Sequence, residues 1–171
     1  MTRLTILAAL AGVLAGCGGD DAGAGAAPPT ASDWDAAAAC AMLDVGTMSA
    51  LTGLSLETAK PTPMAPMTAS TAAVSMCEYS GTGGAMVTLL TREAPYDDAT
   101  PEAIQQARTA NGMMDPAEDV PGLGKAALWR AAPMAKSLQV FFDERRSVVV
   151  TLGGSEATLK QASAVARAVA P

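Results

Sequence analysis

Apolar and polar residues alternate most regularly near the C-terminus. Leu138, Val140 and Phe142 share one side of the segment Ser137 to Phe142, the charged run Asp143-Glu144-Arg145-Arg146 turns the chain, and Val148, Val150 and Leu152 resume the alternation. A period of two broken by a polar turn predicts an antiparallel hairpin. The same pattern gives a strand from Val74 to Ser80, a glycine turn at Gly81-Thr82-Gly83-Gly84, a return strand from Ala85 to Arg92, and another strand from Ala126 to Arg130. Helical spacing takes over elsewhere. Trp34 and the alanines after Asp35 open a first helix, and Asp44 caps a second that carries Val45, Met48 and Leu51 and stops at Gly53. Thr100-Pro101-Glu102 starts a third, with Ile104, Ala107 and Ala110 on its apolar side and Gly112 at its end. Ser155 caps the last, buried through Leu159, Ala162, Val165 or Ala166, and Val169. Residues 58–73 carry Pro61, Pro63 and Pro66; proline cannot continue a helix or a central strand, so this stretch reads as a long loop. Short turns between strands mean antiparallel pairing, and one-sided helices pack on a sheet face. The expectation is a single α+β domain over 34–171, an antiparallel sheet of about five strands with helices on one face.

The first residues follow a different pattern. Met1-Thr2-Arg3 precedes a small, apolar run from Leu4 to Ala15, and Cys17 follows Leu14-Ala15-Gly16 directly. The run is too short to span a hydrocarbon core of about 30 Å, and it has the layout of a cleavable signal. Small residues before the cut and a thiol after it resemble a bacterial lipobox. That resemblance implies a signal peptide over 1–16 and a lipid-modified Cys17, with the chain held on the extracytoplasmic side of a cell membrane or outer membrane. Two or more acyl chains give stable anchoring where one is marginal. From Gly18 to Asp33 the sequence is mostly Gly, Ala, Pro and Asp, a tether with a reach of about 20 to 25 Å as a flexible coil.

Composition narrows the chemistry. The 171 residues include 17 acidic and 11 basic side chains and no histidine, for a net charge of −6. An acidic surface opposes nucleic acid and an electrostatic grip on anionic lipid heads, and the lack of histidine removes the commonest catalytic base and metal ligand. Of three cysteines, Cys17 is taken by lipid, which leaves Cys40 and Cys77 as a pair that an oxidising compartment joins. By the chain-entropy model their bridge is worth roughly 3.5 to 4 kcal/mol.

The order of these features has a counterpart. The lipobox and tether, Cys40-Ala41-Met42-Leu43-Asp44 running to Leu51-Thr52-Gly53, Cys77-Glu78-Tyr79, and Val120-Pro121-Gly122-Leu123-Gly124-Lys125-Ala126-Ala127 before a hairpin and terminal helix resemble cell-envelope lipoproteins of actinobacteria. The likeness covers most of 38–171, with Tyr79 where that pattern has a tryptophan. It implies a disulfide-stapled α+β lipoprotein of unassigned function and brings no catalytic residues.

Gly122-Leu123-Gly124-Lys125-Ala126-Ala127 fits a Gly-x-Gly-x-x-Ala nucleotide pattern, but that fingerprint needs a strand before and a helix after it, and here a strand follows. No Ser-x-x-Lys or Gly-x-Ser-x-Gly occurs. Ten methionines, among them Met64, Met67, Met113 and Met114, are soft ligands in principle and core filler more simply. Asp115, Glu118 and Asp119 lack the alternation of a calcium loop. Thr62, Thr68, Ser70 and Thr71 stand among prolines as acceptors for O-glycosylation. The expectation is a non-enzymatic module with no catalytic residues, metal or cofactor. It binds an envelope protein or cell-wall polymer; the alternative is a carrier holding a small apolar or lipid ligand in a pocket lined by Leu138, Val140, Phe142 and methionines.

Overall fold

The computed structural model describes residues 34–109 and 115–171. The signal segment, Cys17 and the tether lie outside the described residues, as do Ala110, Gly112, Met113 and Met114.

Two short helices come first, α1 (Ala39–Met42) and α2 (Val45–Thr52). Asp44 caps α2 as its sequence predicts, accepting the Thr47 N–H at 2.9 Å, and Gly53 closes it in the left-handed conformation, φ 69°. The strands are β1 (Leu56–Ala65), β2 (Ala73–Gly81), β3 (Met86–Glu93), β4 (Glu118–Asp119), β5 (Ala126–Ala131), β6 (Ala135–Phe141) and β7 (Arg146–Gly153), with α3 (Pro101–Arg108) between β3 and β4 and α4 (Leu159–Ala168) last. They form one antiparallel sheet in the order β1-β2-β3-β7-β6-β5-β4. Two meanders, β1 to β3 and β4 to β7, thus meet where β3 pairs with β7.

The α+β class and the five expected strands hold, but the sheet has seven. The first addition is β1, where a loop was expected. Proline is excluded from central strands because it removes a ladder donor; β1 is an outer strand. Pro61 and Pro63 share one parity, opposite Cys77 and Ser75, so their missing N–H groups belong to the side of the ladder that faces solvent. The second addition is the two-residue β4, too short to give a periodic signal.

The helices also depart from the expected single face. Side chains of a strand alternate between faces, and on one face Leu89, Leu138, Val140, Val148, Val150 and Leu152 are fully buried beneath α1, α2 and α4. On the other face α3 packs Ile104 and Ala107 against Ala99, Ala117, Leu128 and Phe141. The apolar run Ala126-Ala127-Leu128-Trp129 was the sign of this, since a strand covered on both faces does not alternate. The caps show a smaller shift. Thr100 caps α3 as expected, whereas α4 starts at Thr158 rather than Ser155, because Thr158 and Gln161 form a reciprocal capping box.

Where the chain enters the fold is fixed tightly. The Ser75 and Thr91 hydroxyls, both buried, donate to the Ala36 carbonyl at 2.8 and 2.9 Å, and the Ala39 N–H donates to Ser75 Oγ at 2.8 Å. Trp34 meets the Phe142 ring edge-on, centroids 5.7 Å apart. Cys40 and Cys77 are joined, Cα atoms 4.9 Å apart, stapling α1 to β2. The fully buried Tyr79 donates its hydroxyl to the Leu43 carbonyl at 2.7 Å, and burial, helped by Asp44, pushes that phenol up to about 12.

Candidate functional site

These constraints give the sheet two distinct ends. Thr91 pairs with Val148 and Phe141 with Ser147, so Ala36, Trp34 and the β6–β7 turn all belong to one end. At the other, Val87 pairs with Leu152 and Leu56 with Gly81, which gathers the α2–β1, β2–β3 and β7–α4 connections.

The second end holds a groove of about 380 Å³, lined by Leu54, Ser55, Thr82, Gly154, Glu156 and Gln161 among others. Its walls follow from local sequence. At Gly81 a β carbon would sit 1.8 Å from the Ser55 carbonyl oxygen, so only glycine lets β1 and β2 approach this closely. The Thr82 N–H then donates to that carbonyl at 3.1 Å. Gly83, Gly84 and Gly154 have φ of 65°, 78° and 95°, and a β carbon at any of them would project into open space. Lys136 holds the far wall, its ammonium donating to the Ser155 and Ala157 carbonyls, each at 2.7 Å. Gln161 ties α4 to α2 by donating to the Thr52 carbonyl. The remaining polar groups are the Ser55, Thr82 and Ser155 hydroxyls and the Glu156 carboxylate, over an apolar floor of Leu54, Ala85, Leu152 and Ala157. With hydroxyls, exposed peptide groups and one carboxylate, this groove can make hydrogen bonds and shallow apolar contacts.

At the first end a groove of about 490 Å³ runs between the Gly122–Gly124 turn, the β6–β7 turn and the end of α4, where Leu123, Phe142, Asp143, Arg146 and Arg167 line it. Burial works against the charge of Asp143. The Arg145 and Arg146 N–H groups, both at 2.8 Å, and the Arg146 guanidinium at 2.6 Å nonetheless keep its carboxyl below the ordinary range.

The residues singled out in the sequence are scattered. The Gly122–Ala127 segment is a turn feeding β5, with φ of 74° at Gly122 and 65° at Gly124, and a β carbon at Gly124 would lie 2.5 Å from the Phe141 carbonyl. Gly124 serves close packing, and Gly122 serves the positive φ of the turn. Asp119 is paired with Arg108 at 2.7 Å, and no group of three or more Cys, Asp or Glu is placed to hold a metal ion among the described residues. Met42 and Met48 are buried in the core, while Met64, Met67, Met86 and Met134 are exposed. Leu138 and Val140 are fully buried and line neither groove; Phe142 lines the groove with the arginines. The paired glycines Gly83-Gly84 and Gly153-Gly154 read in sequence only as turns; the pairing of β3 with β7 is what makes them two walls of one groove. No helix among the described residues is long and apolar enough to cross a membrane.

No protein-family model matches the chain, and no curated protein or solved structure is significantly similar to it.

Proposed function

We propose that this chain is a lipid-anchored envelope lipoprotein of the kind its lipobox and cysteine pattern resemble. It is held through Cys17 on the extracytoplasmic side of a cell membrane or outer membrane, and it works there as a non-catalytic binding module for an envelope protein or cell-wall polymer. The observation that carries the reading is the opposition of the two ends. The chain enters beside Phe142, and the glycine-walled groove lies at the other end of β7, about 25 Å away. An anchor joined at one end leaves the other free to meet a partner. The carrier reading has less support, because Leu138 and Val140, which would line an internal ligand pocket, are packed into the core.

Two measurements test this. Cys17→Ala in the full chain should move the protein from the membrane to the soluble fraction; unchanged fractionation would remove the anchor. A photo-cross-linker at Ser155 in living cells should give discrete adducts that the same probe at Gln105 on α3 does not. Equal yields from both would remove the groove, and a lipid retained through native mass spectrometry would restore the carrier.

A further inference from the structure

The described sheet leaves two edges, and they are unequal. One is β4, whose 2 residues are too few to template another strand; the other is β1, 10 residues long and exposed from Glu57 to Thr62. An outer strand of that length ordinarily presents a row of unpaired N–H and C=O groups on which a further strand can form. In β1 that row is altered. Thr58, Lys60 and Thr62 have the parity that bonds to β2, opposite Ser80, Glu78 and Met76, so Ala59, Pro61 and Pro63 turn their backbone groups outward. All three offer a carbonyl, and only Ala59 offers an N–H. Register shifts between Leu56 and Thr58 and between Pro63 and Ala65 bound this stretch, and Glu57 and Lys60 place exposed charges along it.

We propose that Pro61 and Pro63 close this edge against a second copy of the chain. The inference rests on strand order and register and stands apart from both the anchor and the groove. A second copy brings the identical edge, and two β1 strands related by a two-fold axis would join antiparallel into one continuous sheet. In the register that overlaps the two segments fully, Pro61 faces its own equivalent and Ala59 faces Pro63 of the other copy. With an N–H at every position, the three facing pairs would exchange six hydrogen bonds. The Pro61 pair makes none and each pair of Ala59 with Pro63 makes one, which leaves two. The carbonyls of Pro61 and Ala59 in both copies would then be enclosed without donors, and that desolvation opposes the union. The same prolines that β1 tolerates because it is an outer strand are therefore what keeps it outermost.

Native mass spectrometry of the full chain released from detergent counts the copies. The wild type should fly as a single copy. Pro61→Thr combined with Pro63→Thr restores all six hydrogen bonds and should raise the dimer fraction roughly 10-fold or more. Hydrogen exchange on the same sample should slow at the amides introduced at positions 61 and 63, while β7 stays as protected as in the wild type and so reports an intact fold. Pro63→Thr alone restores two of the four missing bonds and should fall between. Pro66→Thr, just beyond the strand, should remain a single copy. A double variant that keeps its β7 protection yet stays a single copy would overturn the proposal, as would dimers whose amides at 61 and 63 exchange freely, or equal dimerisation by Pro66→Thr. So would a wild type already dimeric with a slowed Ala59 amide, since its edge would then be open. If the double variant loses β7 protection, Pro63→Thr alone is read by the same criteria.

Discussion

At the β6–β7 end, the Ala36 carbonyl is held by two buried hydroxyls, Trp34 packs on Phe142, and four ion pairs hold the turns and strand ends. At the opposite end Gly83, Gly84 and Gly154 turn the chain with open space where a β carbon would be, and the single carboxylate lining the groove, Glu156, is exposed. The difference teaches how one small sheet separates its tasks. Where the backbone must be positioned, side chains are spent on each other. At the open groove, small residues keep the backbone accessible, and Gln161 in its lining and Lys136 outside it fix the walls.

The largest test of this comparison is removal of the staple that fixes the entering helix. Cys40→Ala with Cys77→Ala should lower unfolding free energy by roughly 3.5 to 4 kcal/mol in chemical denaturation, with hydrogen exchange rising most over Ala36–Met42. A loss under about 1 kcal/mol would mean the hydroxyl clamp alone fixes the helix.

Next come two glycine substitutions that should separate the ends. Gly124→Ala places a methyl 2.5 Å from the Phe141 carbonyl at a positive φ and should cost about 2 to 3 kcal/mol. Gly154→Ala, strained in φ but surrounded by open space, should cost about 1 kcal/mol. Equal costs would erase the distinction between a packed and an open end.

Tyr79→Phe leaves the buried Leu43 carbonyl without its donor and should cost about 1 to 2 kcal/mol. It also carries a pH signature. The phenol of Tyr79 ionises at about 12 in the folded chain against an ordinary value of about 10, so its contribution is complete below pH 10. That contribution is lost as pH rises towards 12. Alkaline denaturation of the wild type should therefore be steeper between these values than that of the variant.

The smallest effect compares one carboxylate from each end. Asp143→Asn should cost about 1 kcal/mol at neutral pH. The folded-state pKa of Asp143 is depressed, so its contribution is present above the ordinary carboxylate value and disappears as pH falls below about 4. Glu156→Gln should leave the melting curve in place and change only what the groove binds.

Much of the local structure was legible. The period-two runs around Val140 and Val150 mark β6 and β7, and Asp44 with Gly53 brackets α2 to the residue, since caps and alternation are written in short stretches of chain. The β1 strand was not legible: its prolines are tolerable only because it is an outer strand, and no property of Leu56 to Ala65 says which strand is outermost. The groove was hidden for a related reason. Ser55, Thr82 and Glu156 are far apart in sequence and become neighbours only through the pairing of β1 with β2 and β3 with β7.

By itself, then, the sequence determined most of the elements, the α+β class and the pairing of two cysteines, because propensity, capping and hydrophobic period act over a few residues and Cys40 and Cys77 had only each other once Cys17 was assigned to lipid. Tertiary structure alone decided the strand order, the face taken by α3, and the gathering of glycine turns at one end and arginines at the other. Those depend on which edges and faces remain open after the two meanders join, a property of the assembled sheet that no local stretch of chain encodes.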